Sequence, residues 1–127
     1  MFRRIIFIAI LYIYHQHCLG IPYNKFSFDR ITIEDGLSQG TVTSIIQDSK
    51  GFMWFGTYDG LNRYDGIRFR VYKNDVIDSL SISHNSITSL CEDRFNNLWI
   101  GTMAGGINLY NRDKDLYLRP LFRSTNY

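Results

Sequence analysis

Acid–base chemistry in this 127-residue chain would have to come from Asp29, Glu34, Asp35, Asp59, Asp75, Asp78 and Glu92. Two such carboxylates on either side of a glycosidic bond would make a hydrolase or lyase. Most of them stand in turn-forming stretches, where aspartate accepts backbone N–H groups instead of reacting. That placement argues against an enzyme. His84 stands alone, since His15 and His17 fall in the N-terminal segment, and no metal-ligand spacing or glycine-rich phosphate loop is present. No metal and no cofactor are therefore expected. Cys91 is the one cysteine beyond Cys18, at an apolar strand position, and is expected to pack as a small hydrophobe with no internal disulfide.

The charge pattern narrows the partners. Removing Arg3 and Arg4 from the 14 basic residues leaves a balance with the 12 acidic ones. A balanced surface gives no electrostatic footing for nucleic acid or an anionic membrane surface. Residues 1–20 have the layout of a secretory signal: Arg3-Arg4, an apolar run over 5–14, a polar stretch, then Cys18 and Gly20 at −3 and −1 of a cut. The run is short for a permanent spanning helix, which needs roughly 20 apolar residues. Cys18 lacks the small residues that precede a lipidated cysteine. The remainder is expected to be exported to the periplasm.

The elements that must carry these residues come from a repeat. Residues 42–57 align with 87–102 at an offset of 45. Asp48 recurs as Asp93, Trp54 as Trp99, and Gly56-Thr57 as Gly101-Thr102. After one inserted residue, Gly60-Leu61-Asn62 recurs as Gly106-Ile107-Asn108 and Tyr64 as Tyr110. Each copy reads as short strands: 42–47, 52–57 and 61–64, joined by turns rich in Asp, Asn and Gly. Asp65-Gly66 marks a hairpin. Residues 67–73 alternate Ile67, Phe69 and Val71 with charged residues, which predicts an outer strand with one apolar and one solvated face. Four antiparallel strands in about 45 residues, repeated, predict an all-β fold: a partial β-propeller of two four-stranded blades. Residues 26–32 resemble an outer strand without inner strands before it, the expected closure strand of a ring, with its partners expected beyond residue 127.

The expected division is a signal over 1–20, a closure strand and lead-in over 21–40, blade 1 over 41–80, and blade 2 with an irregular tail over 81–127. The recurring residues Asp48, Trp54, Gly56, Thr57, Gly60, Asn62, Tyr64, Asp93, Trp99, Gly101, Thr102, Gly106, Asn108 and Tyr110 are assigned to architecture. A ligand is expected to use positions where the copies differ. Tyr58-Asp59 becomes Met103-Ala104-Gly105, Arg63 becomes Leu109, and His84 replaces Gln39. Tyr58, Asp59, Arg63 and His84 are thus the candidate ligand contacts, on loops that commonly form the binding face of a propeller.

The segments Glu34-Asp35-Gly36-Leu37-Ser38, Gln47-Asp48-Ser49-Lys50-Gly51-Phe52-Met53-Trp54-Phe55-Gly56-Thr57 and Asp59-Gly60-Leu61-Asn62-Arg63-Tyr64-Asp65-Gly66 resemble the two-component regulator propeller repeat. Asn97-Leu98-Trp99-Ile100-Gly101-Thr102 with Gly106-Ile107-Asn108-Leu109-Tyr110 is similar. The resemblance covers residues 26 to about 115. It implies the periplasmic sensor region of a bacterial hybrid histidine kinase, with two seven-bladed propellers ahead of a membrane helix and kinase. It further implies homodimers in the inner membrane and, in many members, recognition of oligosaccharides. Two blades do not close a ring, and no kinase motif or phosphoacceptor is present, so kinase activity is not carried over. The chain reads as a truncated or split gene product whose partners are the remaining blades of the same or an adjacent polypeptide. Three functions follow: a piece of an oligosaccharide sensor, a remnant without function, or part of a propeller enzyme.

Overall fold

The computed structural model describes residues 27–120. Eight strands form two antiparallel sheets. Blade 1 has β1 (Val42–Gln47), β2 (Met53–Thr57), β3 (Gly60–Tyr64) and β4 (Phe69–Tyr72); blade 2 has β5 (Ile87–Glu92), β6 (Leu98–Thr102), β7 (Ile107–Asn111) and β8 (Leu116–Leu118). Each sheet follows chain order, β1-β2-β3-β4 and β5-β6-β7-β8. The fold is an all-β partial propeller, as the repeat predicts. The two copies share a register irregularity, at Val42/Ser44 in blade 1 and at Ile87/Ser89 in blade 2.

Blade 1 lays its Trp54 face against blade 2. Trp54, Leu61 and Tyr72 meet Ile82, Ile87, Leu98, Ile100, Tyr110 and Tyr117 in one core cluster shared by both blades. Gly56 is required there, because a Cβ would stand 2.7 Å from Ile87 Cγ2 and 2.7 Å from Ser44 Oγ. The inner strands also meet: the Thr43 hydroxyl lies 3.0 Å from the Gly56 carbonyl oxygen and 2.8 Å from that of Ile87.

One expectation changes. The outer strand of blade 1 is Phe69–Tyr72, shorter than 67–73, and its apolar alternation does not mark the packed face. Ile67 is 86% exposed and Val71 38%, whereas Tyr72 is buried against Trp54. A blade packs through both faces, so alternation with water on one side is the wrong template. The fourth strand of blade 2 is β8, which pairs with β7 and seats Tyr117, 3% exposed, in the core. The closure strand expected over 26–32 would pair with strands beyond these two blades. Residue 26 and the proposed signal over 1–20 lie outside the described residues.

Candidate functional site

Each blade is held by the same two polar clamps. Asp48 Oδ1 accepts the Lys50 and Phe52 N–H groups at 2.9 and 3.0 Å, while its Oδ2 accepts the Trp54 indole N–H at 2.7 Å. Asp93 repeats this with Phe95, Asn97 and Trp99, at 2.8, 3.0 and 2.9 Å. Aspartate opens the β1–β2 turn, and its second oxygen orients the tryptophan six residues on. At the other end, Ser38 N–H donates to Asn62 Oδ1 at 2.8 Å and Asn62 Nδ2 donates back to Ser38 Oγ at 2.8 Å. Ser83 and Asn108 repeat that exchange at 3.0 and 2.7 Å. Thr57 and Thr102 close the β2–β3 turns by donating to the Gly60 and Gly106 carbonyls, both at 2.9 Å. Ser38 and Ser83 carry no functional assignment from sequence, although they also stand 45 apart.

Electrostatics follow these clamps. Burial pushes the Asp48 carboxyl up, but hydrogen bonds from Arg112, Trp54 and Phe52 outweigh it and hold the group below its ordinary range. The Trp99 indole and the Asn97 amide hold Asp93 far below the ordinary range. Arg112, from blade 2, reaches Asp48 Oδ2 at 2.6 Å and Glu92 Oε1 at 2.6 Å. Glu92 in turn accepts the Ser49 N–H and hydroxyl at 2.8 Å each. A second lock joins Arg70, Tyr72 and Tyr110 on Asp115. Tyr72 Oη donates to it at 2.9 Å and Tyr110 Oη at 2.5 Å, with Arg70 paired to the other oxygen.

The four candidate ligand contacts separate into two groups. Tyr58 and Asp59 form the tip of the β2–β3 turn. Tyr58 is half exposed and lines an open cleft of about 350 Å³ with Thr41, Val42, Thr43, Ile87, Thr88 and Met103. Asp59 pairs with Lys73 Nζ at 2.7 Å on the same end of the blade. Arg63 is elsewhere, inside the contact between blades. It donates to Tyr110 Oη at 3.0 Å and lies 4.8 Å from the Phe52 ring centre. His84 Nδ1 accepts the Ser86 N–H at 3.0 Å, just as Gln39 Oε1 accepts the Thr41 N–H at 2.7 Å. The two residue types do one local job. The cleft can hold a small polar ligand over the Tyr58 ring, with threonine hydroxyls around it, and no pair of free carboxylates faces it.

Fold and clamps together define two consecutive blades of a β-propeller. The family described as Two component regulator propeller matches residues 36–59 and 81–104, one stretch in each blade. Histidine kinase P4 of Formosa agariphila is 44% identical over 78 residues, covering 61% of this chain and 6% of that protein. A crystal structure titled as the extracellular domain of a hybrid two component system from B. thetaiotaomicron superposes with a TM-score of 0.65 at 39% identity. It covers 71% of this chain and 13% of that one. The chain therefore spans a small part of the proteins it matches, and it resembles the extracellular sensor region of such a system. Among the described residues, no helix is long and apolar enough to cross a membrane.

Proposed function

We propose that this chain supplies two consecutive blades of an exported, oligosaccharide-sensing propeller in a two-component signalling system. Residues 1–20 act as the export signal, and the remaining blades come from the same or an adjacent polypeptide. The assembled sensor works as a homodimer in the inner membrane. The observation that carries this reading is the split between repeated and unrepeated residues. Most repeated residues are taken up by clamps and interior packing, whereas Tyr58 and Met103, which differ between blades, line one open cleft beside the repeated Thr43 and Thr88. A sugar ring presents apolar C–H faces and hydroxyl edges, which suit an exposed aromatic ring rimmed by threonines. Binding would shift the rigid-body setting of one blade against the next, with no bond made or broken in this chain.

The test is a thermal-shift screen of host and plant oligosaccharides on the polypeptide that carries these blades within a complete ring. A ligand that raises the unfolding temperature should lose most of its effect in Tyr58→Ala, while Lys73→Ala weakens it less. No shift with any glycan would count against the reading. A shift untouched by Tyr58→Ala would place the ligand elsewhere in the ring.

A further inference from the structure

Beyond ligand sensing, the outward face of blade 2 carries a charge pattern that specifies its neighbour. On the reading that these blades belong to a larger propeller, we infer that the Trp99 face takes a further blade through a contact of reversed polarity: that blade presents a carboxylate to Arg94 and apolar side chains to Leu109 and Leu118. The contact inside the chain supplies the template. Blade 2 covers the Trp54 face of blade 1, and Trp99 with its Asp93 clamp repeats Trp54 with Asp48. A blade related to blade 2 as blade 2 is to blade 1 therefore sits on Trp99. Trp99 is only half-buried, and Cys91, its partner across β5 and β6, is exposed. Ile107 and Leu118 on the same face are 46% and 42% exposed.

Three differences between the copies state what the neighbour must carry. At the first contact, Arg112 of blade 2 reaches Asp48 Oδ2 at 2.6 Å, beside the Trp54 indole. At Asp93 that place is already taken. Asn97, which stands where blade 1 has Phe52, donates its side-chain amide to Asp93 Oδ2 at 2.9 Å, beside the Trp99 indole. With two donors on that oxygen, an arginine from the neighbour has no acceptor left there. The second difference is at Ser49, whose N–H and hydroxyl bond Glu92 of blade 2 at 2.8 Å each. Its counterpart is Arg94, which is exposed, lies 4.7 Å from the Phe95 ring centre and pairs with no carboxylate among the described residues. An acid at the neighbour's counterpart of Glu92 would meet a full cation there, a stronger hydrogen-bonded pair than acid on serine. Third, Arg63 and Arg70 face Tyr110 and Asp115, and are paired across β3 and β4. Their counterparts are Leu109 and Leu118, paired across β7 and β8. Leucines give a carboxylate at the place of Asp115 nothing to bind and suit apolar groups where Tyr110 and Tyr117 stand. The bridging arginine comes from the following blade at the first contact and from the preceding blade at the second.

Alkylation by iodoacetamide, followed at Cys91 by peptide mass, tests this on the polypeptide that carries these blades within a complete ring. Cys91 should react about tenfold more slowly than a cysteine in an unstructured peptide, because it is reached only when the face opens. Arg94→Glu should quicken the reaction about threefold at low ionic strength and less at high, since it sets two acids against each other and salt screens them. A lysine at the neighbour's counterpart of Glu92 should restore the slow rate. Leu109→Arg should also quicken it, while Val76→Ser, outside both sheets and 93% exposed, should leave it unchanged. Reaction at the free-peptide rate would mean that no blade covers the face. A slow rate indifferent to Arg94→Glu would mean a cover without the acid; either result overturns the inference, and the first needs no variant. Glycan response is read separately by thermal shift. A covered Cys91 without any glycan response sinks the sensing reading alone, and a freely reacting Cys91 with a glycan response sinks this contact alone.

Discussion

Trp54 and Trp99 share one clamp but have different surroundings, and the difference sets their energetic weight. Trp54 is fully buried, stacked on Tyr72 at 5.9 Å and edge-on to Tyr110 at 5.0 Å. Trp99 keeps its Asp93 bond but is only half-buried. In urea unfolding of the full chain, Trp54→Ala should cost about 3–5 kcal/mol and Trp99→Ala roughly 1–2 kcal/mol. Equal losses would mean that the Trp99 face is covered after all. The glycines after them follow the same logic. A Cβ at Gly56 meets the next blade at Ile87, while a Cβ at Gly101 meets mainly the Ser89 hydroxyl of its own blade, which can rotate away. Gly56→Ala should therefore destabilise by about 1–3 kcal/mol and Gly101→Ala by less. Asp48 adds a pH dependence. Its carboxyl lies lower in the folded chain than in the unfolded one, so its contribution is complete above the ordinary carboxylate range. That contribution is lost as pH falls through the folded value. Asp48→Asn should flatten the acid limb of a stability–pH curve; an unchanged limb would assign acid sensitivity to other groups. These roles were half legible in sequence. Recurrence marks Asp48, Trp54, Gly56 and Asn62 as architectural. It does not say that Asp48 bonds Trp54, because nothing in spacing shows a side-chain direction. Difference between copies was a poorer guide. Arg63 and His84 vary between blades yet serve packing and a local turn.

At the scale of elements, the blade contact is a shared apolar core rimmed by two ionic locks. Arg112 is the keystone of the lower one, since it neutralises an Asp48 side chain with no solvent exposure. Removing it leaves that carboxylate buried beside only neutral donors, so Arg112→Ala should cost about 3 kcal/mol in urea unfolding, and Glu92→Gln clearly less. The reverse order would make Glu92 the keystone. Tyrosines fill the centre. Burial raises the phenols of Tyr72, Tyr110 and Tyr117 above their ordinary value. The folded chain keeps these protons at pH values where unfolded tyrosines, near about 10, release them. Stability is then unaffected below that range and falls as pH rises through it. Tyr117 differs from the other two because its buried hydroxyl has no hydrogen-bond partner. Tyr117→Phe should be neutral or slightly stabilising, by up to about 1 kcal/mol, whereas Tyr72→Phe gives up a bond to Asp115. The strands of blade 1 were legible because their turns carry Asp and Gly at fixed places. β8 was less legible, because six residues separate Tyr110 from Tyr117 against four between Tyr64 and Phe69, which shifts it out of the repeat's offset. Arg112 and Asp115 lie in that longer stretch, so no comparison of copies could single them out.

For the whole molecule, the consequence is that neither blade owns its core. Central side chains of the shared cluster gain cover from the other sheet: Trp54 from Tyr110, and Tyr117 from Tyr72. A four-stranded sheet alone would expose one entire side of that cluster, and in repeat architectures the contact between neighbours supplies much of the stability. The pair should therefore unfold as one unit. The Trp99→Phe variant leaves Trp54 as the single indole, reporting on the contact, while far-UV circular dichroism reports on all eight strands. The two signals should share one midpoint in urea. If ellipticity survives past the fluorescence change, a blade is stable without its neighbour, and the Asp48–Arg112–Glu92 and Arg70–Asp115 locks serve only to orient sheets that are already folded. If the midpoints coincide, the same dependence applies to the outer faces: a blade is completed by whatever covers it.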